Sequence, residues 1–354
     1  MIREAIEKLV NGEDLTRHEA FESMMEIMSG SATPAQIAAF LTALRMKSET
    51  VEEITSFAMA MRCFCQRARP RTCGHLVDTC GTGGDRIKTF NVSTAAAFVI
   101  AGAGVPVAKH GNRSVTSKSG SADVLECLGL NLNVSHGVVW KAVEQIGIGF
   151  LFAPLFHPAM KYAAGPRKEM GIRTVFNLLG PLTNPALPDA QVIGVCSNDL
   201  VERIALVLRE LGLKEAMVVH GLDGLDEISI IGKTRIAWLR EGEIKIFTIT
   251  PKQLGVKKAA AEDVSGASPM ENAETVFRIL HGCLRDGDPK RNLVTINAAA
   301  GIIVGGKADD FAGGLELANE SIESGAAYRK LKELVKLYNR NYLGRLEELE
   351  KKYS

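Results

Sequence analysis

Leu76-Val77-Asp78-Thr79-Cys80-Gly81-Thr82-Gly83-Gly84-Asp85 turns a short apolar run into a glycine loop, and Asn91-Val92-Ser93-Thr94 follows where a helix-like segment begins. A strand that ends in glycines and leads into a helix is a βα unit, and backbone N–H groups converge on an anion at such a turn. Gly81, Gly83 and Gly84 read as positions for positive φ and for close approach of backbone to a phosphate oxygen. The plainer alternative is an ordinary strand-to-helix turn. Farther on, Lys109-His110-Gly111-Asn112-Arg113-Ser114-Val115-Thr116-Ser117-Lys118-Ser119-Gly120-Ser121-Ala122-Asp123 repeats the arrangement with three cations and five hydroxyls. Two such loops imply one ligand with two phosphate groups. Neither is a G-x-G-x-x-G fingerprint nor a Walker loop, which argues against a dinucleotide or a nucleoside triphosphate.

Outward from these loops, short β-like runs alternate with small-residue helices, the pattern of parallel βαβ units. Expected strands are Leu76–Thr79, Val105–Ala108, Ile148–Phe152, Val192–Cys196 and Ala216–Val219, with helices at Ala95–Gly102, Ala122–Leu128, Val138–Ile146 and Leu200–Leu211. Asn198 is the expected cap of the last helix. Thr234–Leu239 and Glu243–Thr248 flank Glu241-Gly242 as an antiparallel hairpin, and charged amphipathic helices follow. Residues 1–74 differ in texture. Thr16 with Glu19, Thr33 with Gln36 and Thr50 with Glu53 are capping boxes, so this stretch reads as a small helical unit that packs or dimerises. The polar segment His157–Asn184 interrupts the alternation and is expected to pack on that unit. The fold class is therefore α/β: a small all-α N-terminal domain (1–74, joined by the excursion around 157–188) beside a large α/β domain (75–354). Its central sheet is mainly parallel and flanked by helices.

The 354 residues are 46% hydrophobic with a formal net charge of +1, enough for a large core and without the basic excess of a nucleic-acid binder. Seven cysteines lack the C-x2-C pairs of a zinc site and read as reduced thiols. A redox or metal cluster of Cys63, Cys65 and Cys73 is the weaker alternative. No apolar run reaches the roughly 18 residues of a membrane span and the start lacks a signal pattern, so the expected compartment is the cytoplasm.

Asp85 is the odd member of a phosphate-friendly loop, because a bare carboxylate repels the anion. A ligand hydroxyl or a bridging Mg²⁺ explains it. Ser93 and Thr94 stand at a helix start, where free N–H groups and the helix dipole add to an anion site; simple capping is the alternative. Asp226-Glu227 follows a strand end and offers hard oxygen donors suited to Mg²⁺, although adjacent acids on a loop are more often solvated charge.

Together with Gly165-Pro166-Arg167, the run Arg173-Thr174-Val175-Phe176-Asn177-Leu178-Leu179-Gly180-Pro181-Leu182-Thr183-Asn184-Pro185 and Asp226-Glu227-Ile228-Ser229, these loops resemble the anthranilate phosphoribosyltransferase family nearly end to end. Members join anthranilate to phosphoribosyl pyrophosphate in tryptophan biosynthesis. The resemblance implies that Gly81, Gly84, Asp85, Thr89, Asn91, Val92, Ser93, Thr94, the loop Lys109 to Ser117 and Ser121 hold phosphoribosyl pyrophosphate. It assigns Mg²⁺ to Ser93, Asp226 and Glu227, and anthranilate to Gly81, Asn112 and Arg167, with His110, His157 and Gly180 lining its route. A guanidinium at 167 suits the substrate carboxylate through a forked, charge-assisted pair. It further implies a homodimer joined through the small domains, with no nucleic-acid or membrane partner.

Arg86 departs from the family, which has a glycine after the loop aspartate. If positive φ is required there, Arg costs about 1 kcal/mol or more; otherwise it is an extra counter-ion for pyrophosphate. No Ser-His-Asp or Cys-His constellation stands out, consistent with catalysis by positioning and metal. Two other readings follow from the same fold: a pyrimidine nucleoside phosphorylase, and a non-catalytic nucleic-acid-binding paralogue.

Overall fold

The computed structural model describes residues 1–114, 119–339 and 343–353. Four helices open the chain: α1 (Ile2–Val10), α2 (Arg17–Ser29), α3 (Pro34–Lys47) and α4 (Val51–Cys63). The three capping boxes form as read. Thr16, Thr33 and Thr50 each accept the N–H of the residue three places on, and Glu19, Gln36 and Glu53 accept the threonine N–H at 2.8–2.9 Å. Each cap stabilises its helix by about 1 kcal/mol. Glu53 does more, since it is fully buried and also takes the Leu15 N–H at 2.9 Å and Lys47 Nζ at 3.0 Å, which ties three helices at one carboxylate.

The α/β part then runs β1 (Val77–Gly81), α5 (Val92–Gly102), β2 (Val107–Gly111), α6 (Ser121–Cys127), α7 (His136–Gln145), β3 (Ile148–Phe152), α8 (Ala153–Phe156), α9 (Lys161–Met170), α10 (Phe176–Leu182), β4 (Ala190–Gly194), α11 (Asp199–Glu210) and β5 (Glu215–Gly221). The hairpin β6 (Thr234–Arg240) and β7 (Glu243–Ile249) follows, then α12 (Pro269–Leu280), α13 (Pro289–Val304), α14 (Phe311–Glu323), α15 (Ala326–Tyr338) and α16 (Gly344–Tyr353). The sheet order is β3-β2-β1-β4-β5-β6-β7. The first five strands are parallel and the last two antiparallel, with Glu241 at φ 53° and Gly242 at φ 79° forming the hairpin turn.

Side chains alternate across the sheet, and each face builds its own core. Val192, Met217 and Val219 face a cluster with α5, α12 and α13, whereas Ile193, Ala216 and Val218 face α11 and the N-terminal helices. The second cluster also takes Ala163, Phe176 and Leu179, so the excursion after β3 does pack on the N-terminal helices.

Three details differ from the sequence reading. β1 and β2 extend farther than expected, placing Gly81, Lys109, His110 and Gly111 within strands, because parallel pairing with β4 and β3 continues to those residues. Asn198 precedes α11 but makes no side-chain cap bond, since its backbone is already helical. Arg86 does not have positive φ, so the glycine-for-arginine strain argument falls away.

The chain order reverses direction across the sheet at β1 and β4: β2 and β3 extend one way, β5 the other. A crevice opens at the carboxyl ends of the strands flanking such a switch, and the loops of interest lie there.

Candidate active site

Bare strand ends set the geometry of this crevice. The loop 222–228 after β5 crosses the ends of β1 and β4. A methyl group on Gly81 would come within 2.7 Å of Asp226 Oδ2, and one on Gly194 would overlap the Asp226 backbone carbonyl. Gly81 is therefore required for close approach rather than for positive φ, which belongs to Gly83 (63°) and Gly84 (87°). Asp85 finds its cation in Lys88, Nζ to Oδ1 3.2 Å, a partner that the sequence reading passed over although it lies three residues on.

Asp226 and Glu227 thus sit half-buried at the wall of the crevice. Burial, reinforced by the negative charge of Asp85, holds the Asp226 carboxyl above its ordinary value. Burial and then Asp226 itself push Glu227 well above its own, against the pull of Lys109. Asp85, Asp226 and Glu227 are three carboxylates answered by two lysines, Lys88 and Lys109, an excess of acid that fits a divalent cation with oxygen preference. Among the described residues no three His, Cys, Asp or Glu side chains gather as a metal cage. Mg²⁺ commonly completes its octahedron with water and substrate phosphate.

Opposite these acids stands the start of α5. Ser93 and Thr94 occupy its first turn, and the buried Thr94 hydroxyl has no hydrogen-bond partner among the described residues. Asn91 is not a side-chain cap; its amide instead donates to the Ser119 carbonyl at 3.2 Å and fastens the second loop to the helix. Lys109 is buried, with Nζ donating to the Thr79 carbonyl (2.5 Å) and to Ser93 Oγ (3.3 Å). Burial draws its pKa down, while Asp78 beneath it opposes the shift. Arg113 turns its guanidinium to Asp123 (2.9 Å) and Glu126 (2.8 Å), so its charge is already answered. Asp123 also accepts the N–H groups of Ser114 (3.1 Å) and Gly120 (2.9 Å) and so holds the two ends of the loop together. Val115, Thr116 and Ser117 lie outside the described residues.

The structure gathers Gly81, Asp85, Thr89, Asn91, Val92, Ser93 and Thr94 from the first loop around one cavity of ≈ 310 Å³. Lys109, His110, Gly111, Asn112, Arg113, Ser114 and Ser121 reach it from the second, and Asp226 and Glu227 from the third. Gly84 does not line it. Lys88, Phe90 and Asn177 do, without having been singled out from the sequence. For Asn177 the signal was its place in the run from Arg173 to Pro185.

A second cavity of ≈ 460 Å³ adjoins, with walls from α4, the β3–α9 segment and α10. Arg167 lines it, stacked 5.0 Å from the Phe176 ring centre, with its pKa lowered by burial. Asn112 and His110 line both cavities; Gly81, expected at the acceptor too, lines only the first. The His110 and His157 rings are 5.0 Å apart. His110 Nδ1 meets the Gly180 carbonyl at 3.2 Å, which places the ring proton there and leaves Nε2 an acceptor with no partner among the described residues. Burial, and then His157, lowers the pKa of His110 to about 3; burial lowers that of His157 to about 4.

The profile described as "Glycosyl transferase family, a/b domain" matches residues 73–328, and its helical bundle counterpart matches 3–65. The chain is 52% identical over 337 residues to the anthranilate phosphoribosyltransferase of Moorella thermoacetica, covering 95% of this chain and 98% of that one. The chain belongs to the anthranilate phosphoribosyltransferase family. The Thermus thermophilus member superposes with a TM-score of 0.88 at 42% identity, covering 95% of this chain and 99% of that one. The Saccharomyces cerevisiae member, solved with phosphoribosyl pyrophosphate and Mg, superposes at 0.87 and 29% identity, covering 96% and 98%.

In this family member the two buried imidazoles make stability depend on pH. Their folded pKa values lie below the unfolded value of 6.5, so the unfolded chain takes up protons first as pH falls. Their stabilisation is complete above pH 6.5 and is lost as pH falls through about 4 for His157 and about 3 for His110. His157→Gln should therefore narrow the gap between urea midpoints measured at pH 7.5 and pH 5; an unchanged gap contradicts the assignment.

Proposed function

We propose that this chain is a Mg²⁺-dependent anthranilate phosphoribosyltransferase. It moves the 5-phosphoribosyl group from phosphoribosyl pyrophosphate to the amine of anthranilate, releasing N-(5-phosphoribosyl)anthranilate and pyrophosphate in tryptophan biosynthesis. The observation that carries the reading is the meeting of two unlike cavities at Asn112 and His110. One is rich in amides, hydroxyls and cations beside paired carboxylates. The other is mostly apolar and holds an arginine that is not ion-paired among the described residues, Arg167.

The donor cavity takes the phosphates. The turn Gly81–Gly83, the positive end of the α5 dipole, the Thr94 hydroxyl and Lys109 would face the pyrophosphate and ribose. Asp226, Glu227 and the Ser93 hydroxyl would hold Mg²⁺, which when bound takes up negative charge on the departing pyrophosphate. The amine of anthranilate keeps its lone pair at neutral pH and needs no strong base. The difficult event is cleavage of the bond from the anomeric carbon to the pyrophosphate oxygen, through a ribosyl cation-like transition state. Lys109 and the α5 dipole are fixed in place before that charge develops. Arg167 orients the acceptor carboxylate. As the new C–N bond forms, the amine sheds a proton, and His110 Nε2 is a bare acceptor at the junction. The enclosing walls keep out water, the competing nucleophile.

This reading treats 1–74 with the excursion around 157–188 as a helical body able to close on the α/β body 75–354. It extends to a cytoplasmic enzyme that works as a homodimer through the helical body, where Val10 and Met46 are exposed. No described helix is long and apolar enough to cross a membrane.

Loss of anthranilate fluorescence on mixing the chain with phosphoribosyl pyrophosphate and Mg²⁺ tests the reaction; no decay at micromolar enzyme would sink it. Asp226→Ala/Glu227→Ala should lose activity by about two orders of magnitude or more with its circular dichroism intact. Arg167→Ala should raise KM for anthranilate about tenfold or more and leave that for the donor nearly unchanged. Sedimentation at twice the 38.2 kDa chain mass checks the dimer, and a monomer at micromolar concentration refutes it.

A further inference from the structure

Behind the glycine loop lies another cavity of ≈ 300 Å³, between the α3–α4 turn, the segment before α10 and the start of α11. Arg45, Arg86, Arg173 and Arg203 line it, from four separate parts of the chain. Among the described residues none of the four is ion-paired. Arg203 Nη1 donates to the Glu49 carbonyl at 3.3 Å and Arg173 Nη2 to the Thr82 carbonyl at 3.1 Å. Arg173 Nη1 is buried and has no hydrogen-bond partner among the described residues. The carboxylates on these walls are Glu49 and Asp199, so four cations face two anions. Burial raises the pKa of Glu49 against the pull of Arg45 and Arg203. The Ser197 hydroxyl and the Asn177 amide add polar groups, and α11 begins there without a side-chain cap.

Guanidinium groups with no carboxylate partner, brought together in a concave space, are a receptor for oxyanions. The net excess of positive charge suits a multiply charged oxyanion. The cavity meets the donor cleft at Asn177 and borders the glycine loop at Gly84. Asn177 lines both, and the Arg173 guanidinium lies so close over Gly84 that any side chain there would overlap it. Arg86, which departs from the family pattern, extends here rather than into the donor cleft, with its stem against Gly224.

We propose that this cavity is a second anion site, for a compact anion of the pyrophosphate class, on the far side of the glycine loop from the donor cleft. The choice of pyrophosphate rests on the reaction proposed above, which frees that anion at this loop; the anion-binding character rests on the arginines alone.

The test is calorimetric titration of sodium pyrophosphate into the intact enzyme saturated with phosphoribosyl pyrophosphate and Mg²⁺, without anthranilate. With the donor cleft filled, the wild-type chain should bind one further pyrophosphate. Arg45→Gln/Arg203→Gln should bind it about tenfold or more weakly. Arg45→Gln alone, an exposed change at the end of α3, should fall between them. Inorganic phosphate at equal ionic strength should bind much more weakly than pyrophosphate. No binding to the filled wild type, equal binding by the double variant, or phosphate binding as tightly as pyrophosphate each overturns the proposal. The fluorescence assay on the same preparations separates the two readings. Normal turnover with no second pyrophosphate removes this site alone, and arginine-dependent binding without turnover removes the reaction alone.

Discussion

The active-site crevice depends on one close contact: the loop carrying Asp226 and Glu227 rests on strand ends that have no side chains. Gly81 closes β1 and Gly194 closes β4, and the Asp226 backbone and carboxylate occupy the space that methyl groups would fill. These are the strands at which the sheet reverses its order, so the acids are delivered to the natural ligand crevice of a parallel sheet. From there they face the first turn of α5 and the buried Lys109, which come from other parts of the chain.

Burial then sets the chemistry. In water, two adjacent carboxylates are unremarkable; over the strand ends burial holds both above their ordinary pKa, with Asp85 acting on Asp226 and Asp226 on Glu227. The same burial keeps His110 and His157 neutral beside the acceptor cavity. The donor side therefore concentrates uncompensated charge and the acceptor side suppresses it. That division suits the proposed reaction between a polyanionic donor and an aromatic amine that carries a single carboxylate.

Much of this was legible in the sequence because it is local. A threonine followed three residues later by Glu or Gln builds a cap with no help from elsewhere, and all three N-terminal boxes form. The glycine loop, the α5 start and the acidic pair were recognisable by residue type. What was not legible depends on pairing over long sequence separations. That Lys109 and His110 are strand residues follows from their register with Phe150 and Leu151. The true reason for Gly81 is a residue 145 positions away, Asp226, which no spacing rule reveals. Arg113 looked like a free cation until Asp123 and Glu126 arrived on the next helix. The arginine cavity draws on four segments and has no local signature at all.

The central claim is that the loop seated on Gly81 and Gly194 supplies the metal carboxylates of a single donor cleft. Crystals grown with phosphoribosyl pyrophosphate and Mn²⁺ in place of Mg²⁺ test it most directly, by anomalous scattering from the metal. The account predicts Mn²⁺ bonded to oxygens of Asp226 or Glu227, with the pyrophosphate beside Gly81–Gly84 and the start of α5. Donor bound in that cleft with its Mn²⁺ bonded to neither carboxylate, or donor bound elsewhere, would contradict it.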